Sequence, residues 1–290
     1  MHVPSLEVHN AATLEEAGAL LDRFSPDVRL LAGGTDVLVD LKSARYCVGH
    51  LVALGAIKSL RGITQGRAGL RIGALTTITE LDRSPLVAGV YTALRDATSQ
   101  MATPQVRNAA TVGGNVAGAV PCADLPPVLV AMNAAALLWS AAGERSIALE
   151  DLIVGPRRTI LRDGELLAAV EVPAPPARFG AAYARFGLRE ANSIAVAGVA
   201  ASLALNDDDT VASARVVLCA CAPVPKLSTA AARALVGRVL DDAACVQAAA
   251  AATAEAEPIT DLRGSADYRR RLVSTLTRRA LAAARQRAGR

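Results

Sequence analysis

Two short stretches decide how this chain is read: Leu30-Leu31-Ala32-Gly33-Gly34-Thr35-Asp36-Val37, and Gln105-Val106-Arg107-Asn108-Ala109-Ala110-Thr111-Val112-Gly113-Gly114-Asn115. Each sets a Gly-Gly pair behind a short apolar run and follows it with polar side chains. Glycine reaches positive φ without strain, and its missing Cβ lets another group close on the backbone amides. Successive amides exposed in this way form an anion-binding concavity. Two such cradles facing each other would hold a diphosphate without Lys or Arg. Either pair taken alone also reads as a tight turn. Neither stretch matches the P-loop pattern or the Gly-x-Gly-x-x-Gly dinucleotide fingerprint.

Outward from the first glycine pair, the chain alternates short strands and helices. Thr13 with Glu16 and Thr77 with Glu80 have the spacing of capping boxes and predict helix starts. Val28 to Leu31, Leu51 to Leu54 and Leu70 to Gly73 read as strands, and Tyr91 to about Met101 as a helix. Thr103 to Asp124 is rich in Gly and Pro and reads as a long functional loop. A buried helix from Leu125, a strand at Ala136 to Trp139 and another at Glu165 to Val172 follow. Pro173, Pro175 and Pro176 mark a boundary, dividing the chain into 1–176 and 177–290. Beyond it, Ser193 to Leu205 and Val211 to Ala222 form a hairpin about Asp207-Asp208-Asp209. Helices are expected over Thr229 to Glu257 and Asp267 to Gln286.

Composition narrows the function. The chain has 290 residues, 52% of them hydrophobic, which suffices for a large core without disulfides. Aromatic residues are only 3%, too few for single-stranded nucleic-acid stacking platforms. The uncharged stretch from Leu125 to Gly143 contains Pro126, Pro127, Asn133 and Ser140, which suits a helix followed by a strand and not a membrane span. The N-terminus has neither a basic start nor an apolar run, so a cytoplasmic protein is expected. Cys47, Cys122, Cys219, Cys221 and Cys245 have no metal-ligand spacing. Cys219 and Cys221 would share one face of a strand and serve as packing. From Asp261 onward there are nine Arg and two Asp, read as a surface helix turned to solvent or a partner subunit and not to nucleic acid.

These segments together resemble the FAD-binding medium subunit of the molybdenum hydroxylases, the family of xanthine dehydrogenase and aerobic carbon monoxide dehydrogenase. The family pattern is an AGGTD-like loop followed by Lys, here Ala32 to Asp36 and Lys42. An IRN-x-x-T-[IV]-GGN stretch follows later, here Val106 to Asn115, and then Ala123-Asp124-Leu125-Pro126-Pro127. Arg189, Val216 to Pro225, and Asp261-x-Arg263-Gly264-Ser265-x-x-Tyr268-Arg269 extend the likeness over the whole chain, in order.

The resemblance implies an α+β fold: a two-part FAD-binding domain of the vanillyl-alcohol-oxidase type, then a small antiparallel sheet with helices. FAD would lie between the two domains. Leu30, Leu31, Ala32, Gly33, Gly34, Thr35, Asp36 and Val37, with Thr111, Val112, Gly113, Gly114 and Asn115, would clasp its pyrophosphate and the adjoining ribityl and ribose groups. Asp124 would accept from a flavin or ribityl hydroxyl, or cap the Leu125 helix, or both. Leu167 would pack near the rings and Arg185 would approach the flavin. No side chain is expected to be a nucleophile or base. The chain would pass electrons from [2Fe–2S] clusters on a small subunit through FAD to NAD, a quinone or oxygen. A large subunit would carry molybdopterin, in a dimer of heterotrimers. A stand-alone flavin oxidase of related fold, or an interaction subunit that has lost its flavin, are the alternatives.

Overall fold

Thr13 starts the first helix as its spacing to Glu16 dictates. Its hydroxyl accepts from the Glu16 amide at 3.2 Å, and the Glu16 carboxylate accepts from the Ala12 amide at 2.7 Å. The structure, a computed structural model, describes residues 5–289. This helix, α1 (Leu14–Phe24), packs on a three-stranded parallel sheet of β1 (Glu7–Asn10), β2 (Val28–Leu31) and β3 (His50–Ala53), in the order β1-β3-β2. Between β2 and β3 lies a short helix that the sequence reading missed, α2 (Val37–Lys42).

A five-stranded antiparallel sheet follows, built in part from β4 (Ile63–Gly66) and β5 (Gly69–Gly73). The chain leaves it through α3 (Ile78–Arg83), whose Thr77–Glu80 capping box forms in full, and α4 (Thr92–Thr98). The first part of the predicted long loop is instead two short helices, α5 (Pro104–Ala109) and α6 (Val112–Ala117), while 118–124 is irregular as expected. Thr103 and Thr111 cap them by accepting from the Val106 and Gly114 amides. Their Gly and Pro content hid them, because glycine weakens a helix interior and its role here is close packing.

Helix α7 (Leu125–Ala131) is wholly buried and leads into β6 (Ala135–Ser140) and β7 (Gly143–Ala148). A one-turn helix α8 (Leu149–Leu152) and a small ladder of β8 (Ile153–Gly155) with β9 (Arg158–Thr159) precede β10 (Leu166–Pro173). Strand β10 closes the sheet in the order β4-β5-β10-β6-β7.

The last part is a second antiparallel sheet, β11 (Phe179–Gly187), β12 (Ala195–Leu205), β13 (Val211–Cys219) and β14 (Lys226–Leu227), in sequence order. The expected hairpin is β12–β13, with Ala201 opposite Val216. Strand β12 is buried at every position but its last. One face of the sheet meets α4 and α7, and the other is covered by the layer of α9 (Thr229–Leu235), α10 (Asp242–Ala254) and α11 (Ala266–Ala288). Such two-sided burial is why it reads as an unbroken apolar run and not as an alternation.

Two expectations are corrected here. Cys219 and Cys221 do not share a face: Ala220 between them has φ +58°, which turns Cys219 into the core beneath α7 and Cys221 into the core beneath α11. The arginines of α11 are not all turned outward. Arg269 is buried, donating to the Val196 carbonyl at 2.6 Å and to Asp261 at 2.7 Å. Arg287 grips both carboxylate oxygens of Asp96 on α4, at 2.6 and 2.9 Å. Long as it is, α11 is strongly charged, and among the described residues no helix is long and apolar enough to cross a membrane.

One ion pair braces the turn ahead of β10. Arg145 on β7 meets Glu165 with two parallel bonds of 2.7 and 2.8 Å, and Glu165 also accepts from the Arg162 amide at 2.9 Å. Such fork-to-fork pairing favours the ionised carboxylate. The Arg145 bonds hold the Glu165 pKa down at about 2. A depressed carboxylate stabilises the fold above its unfolded pKa, and that stability is lost as pH falls through the folded value. Glu165→Gln should therefore lower Tm at neutral pH. The gap to the wild type should close between about pH 4.5 and about pH 2, as thermal melts across that range would show.

Candidate functional site

The chain leaves β2 through Ala32 and turns at Gly33-Gly34 into α2. Gly34 has φ +73°, in the left-handed region where a side chain would be strained. Gly33 is required for a different reason. A Cβ there would lie 1.9 Å from the Ala109 carbonyl oxygen and 3.1 Å from the Ala110 Cα, so the turn rests directly on the junction of α5 and α6. The two glycine stretches thus come together as expected.

They contribute differently. The amides of Gly33, Gly34, Thr35 and Asp36 donate to no described residue. Those of the second stretch are committed within the fold. Val112 donates to the Thr76 carbonyl at 2.9 Å, Gly113 to Ala74 at 2.8 Å, and Gly114 to the Thr111 hydroxyl at 3.0 Å. Gly113 is there for contact, since a Cβ would stand 2.6 Å from the Ala74 Cβ. The expected second cradle of amides is therefore a packing surface that docks α6 on the end of β5. What α6 offers a ligand is a side chain: Asn115 Oδ1 is buried and has no hydrogen-bond partner among the described residues.

These groups surround a cavity of about 650 Å³, within the size range that encloses an extended organic ligand. Of the expected residues, Leu30, Ala32 to Val37, Thr111, Gly113, Gly114, Asn115 and Leu167 line it. Leu31 packs instead with Leu41, Val48 and Leu51, and Val112 is fully buried in the main core. No lining residue lies beyond Leu167, so the cavity belongs to the first part of the chain and not to a cleft between the two parts.

Asp124 and Arg185 stand elsewhere, paired with each other. Asp124 makes no side-chain cap on α7. Its carboxylate accepts from the Tyr183 hydroxyl at 2.7 Å and from Arg185 at 3.4 Å, and Arg185 also donates to the carbonyls of Gln100 and Ser193 at 2.7 and 2.5 Å. Burial pushes the Asp124 pKa up, while Arg185 and Tyr183 oppose the rise. The arrangement fastens β11 to the start of α7.

Several lining residues escaped the sequence reading. Asp40 on α2 is buried between Arg157, at 2.5 Å, and Arg45, at 3.1 Å. Arg157 itself sits at φ +59° and donates its amide to Ala119 at 2.7 Å. The guanidinium of Arg29 lies over the Tyr46 ring at 5.4 Å, and burial, then Asp40, raises the Tyr46 pKa. Asp40 thereby ties α2, and with it the glycine turn, to a segment far along the chain. Asp40 and Arg157 carry no local pattern that could have linked them.

The geometry offers a row of free amides for an anion, an unpartnered carboxamide oxygen for a hydroxyl donor, and apolar walls from Leu30, Leu54 and Leu167. Comparison with known proteins agrees with that chemistry. Residues 4–175 match the family model "FAD binding domain in molybdopterin dehydrogenase", and residues 181–284 match "CO dehydrogenase flavoprotein C-terminal domain". The carbon monoxide dehydrogenase medium chain of Afipia carboxidovorans is 34% identical over 284 residues, 98% of each chain. The xanthine dehydrogenase FAD-binding subunit of Escherichia coli O157:H7 is 31% identical over 278 residues, 95% of this chain and 94% of that one. Among solved structures, a carbon monoxide dehydrogenase from Hydrogenophaga pseudoflava that lacks the Mo-pyranopterin moiety superposes with a TM-score of 0.95 at 34% identity, covering 99% of both chains. Quinoline 2-oxidoreductase from Pseudomonas putida 86 gives 0.93 at 30% identity, again covering 99% of both. The chain belongs to the FAD-binding medium subunits of the molybdenum hydroxylases, an oxidoreductase family.

Proposed function

We propose that this chain is the electron-transfer flavoprotein of a three-component hydroxylase, with residues 1–176 as its FAD-binding domain and 177–290 as its C-terminal flavoprotein domain. The observation that carries the reading is that the unpaired amides at Gly33 to Asp36 belong to the lining of one cavity, together with Asn115, whose buried Oδ1 is unpartnered among the described residues. The amides hold the diphosphate of FAD, as backbone donors turned to one side do for anions. Asn115 Oδ1 accepts from a ribityl or ribose hydroxyl, because an acceptor atom has nothing to offer a phosphate oxygen. Leu167 supplies apolar contact.

The cofactor supplies the redox chemistry, taking electrons singly and releasing them in pairs, while the protein binds, orients and shields it. Asp124 and Arg185 act one step removed, by fixing β11 against α7. The relatives' designation as medium chains supports assembly with a larger molybdopterin subunit and a smaller one carrying [2Fe–2S] clusters, as a dimer of heterotrimers. Electrons then travel from the clusters through FAD to NAD, a quinone or oxygen.

Three outcomes test this. Gly33→Val should weaken FAD binding at least about tenfold, because its side chain overlaps the Ala109 carbonyl and drives the glycine turn off α5; flavin fluorescence titration reads the change. Asn115→Leu should cost about 10- to 100-fold in FAD affinity. It should leave the Tm of the cofactor-free chain unlowered, since it deletes a buried acceptor with no partner. Equal FAD affinity in both variants and the wild type would reject the assignment of this cavity. Recovered from its native host, the chain should copurify with one larger and one smaller polypeptide, and its visible spectrum should be that of a flavin. Isolation as a single colourless chain would reject the proposal.

A further inference from the structure

At the opposite end of the parallel sheet from the glycine turn, three side chains converge that the flavin site does not use. Glu7 and His9 project from the same face of β1, and His50, paired in register with Glu7, projects beside them from β3. His9 Nε2 lies 3.1 Å from His50 Nδ1, and Glu7 Oε2 lies 3.7 Å from the first and 3.8 Å from the second. A single point stands about 2.1 Å from all three atoms, the length of a zinc–nitrogen or zinc–oxygen bond.

We propose that Glu7, His9 and His50 form a binding site for a zinc-class divalent cation. Two imidazoles and one carboxylate select a borderline-soft ion of this kind over magnesium or calcium, which take oxygen ligands. Both imidazole rings are already oriented. Phe24, at the end of α1, stacks on His50 with ring centroids 3.9 Å apart and on His9 at 4.7 Å. The two imidazoles are about three-quarters buried, while the Glu7 side chain is 73% exposed, so an ion enters from the Glu7 side and keeps water as its fourth ligand. Arg23, whose guanidinium lies 5.0 Å over the Phe24 ring, is a cation on the same stack that the ion must tolerate. Bound there, the ion clips the edge strand β1 to the central strand β3, so it should stabilise the fold by binding the native state alone.

The test uses the untagged full chain, stripped with a chelator and titrated with zinc chloride by calorimetry. The wild type should bind one zinc per chain and gain Tm. His9→Gln and His50→Gln should each weaken binding at least roughly tenfold, since loss of a supporting group alone costs that much. A readout independent of folding in the variants is the imidazole NMR signals of the wild type, in which zinc should shift those of His9 and His50. No binding, binding that both variants leave intact, or zinc titration that moves neither imidazole would overturn the assignment.

Discussion

The site depends on one backbone-to-backbone contact, that of Gly33 with the carbonyl of Ala109. No side chain of any size fits between them, so the turn after β2 and the junction of α5 with α6 are held at a spacing that only glycine permits. That contact fixes how closely the glycine turn approaches the start of α6. The amides of Gly33 to Asp36 stay without an acceptor among the described residues, and Asn115 lines the same cavity. The second glycine pair completes the arrangement by letting α6 lie on Ala74, at the end of β5.

Such a turn has few hydrogen bonds of its own, and the surrounding structure supplies its rigidity. Asp40 holds Arg157 and Arg45 around α2, immediately after the glycines. Glu165 and Arg145 brace the far wall. Buried charges are costly unless paired, and the two buried carboxylates, Asp40 and Glu165, are each ion-paired with arginine. The same device fastens the C-terminal sheet. Arg287 reaches Asp96, Arg185 and Tyr183 share Asp124, and Arg269 satisfies two carbonyls and Asp261. These contacts make α11 and β11 continuous with α4 and α7. The basic charge of the C-terminal segment is thus partly an internal fastening, which its composition alone disguised as a surface feature.

Much of this was legible in the amino-acid sequence because it is encoded locally. The helix cap at Thr13, the capping box at Thr77, the glycine pairs, the apolar runs of β12 and β13, and the ordered set of family segments each depend on residues a few positions apart. They determined the α+β class and the two glycine stretches that line the cavity. The tertiary structure alone decided which backbone amides stay free. Gly113 and Gly33 look alike in sequence, yet one donates to Ala74 and the other to no described residue, because hydrogen bonding depends on what folds against each turn. It also decided the partners of Asp40, 117 positions from Arg157 in sequence, and of Asp124, 59 from Tyr183. It separated Cys219 from Cys221, through one positive φ at Ala220. Local sequence sets the conformations a segment can adopt, and only packing at long range selects among them and assigns each polar group its partner.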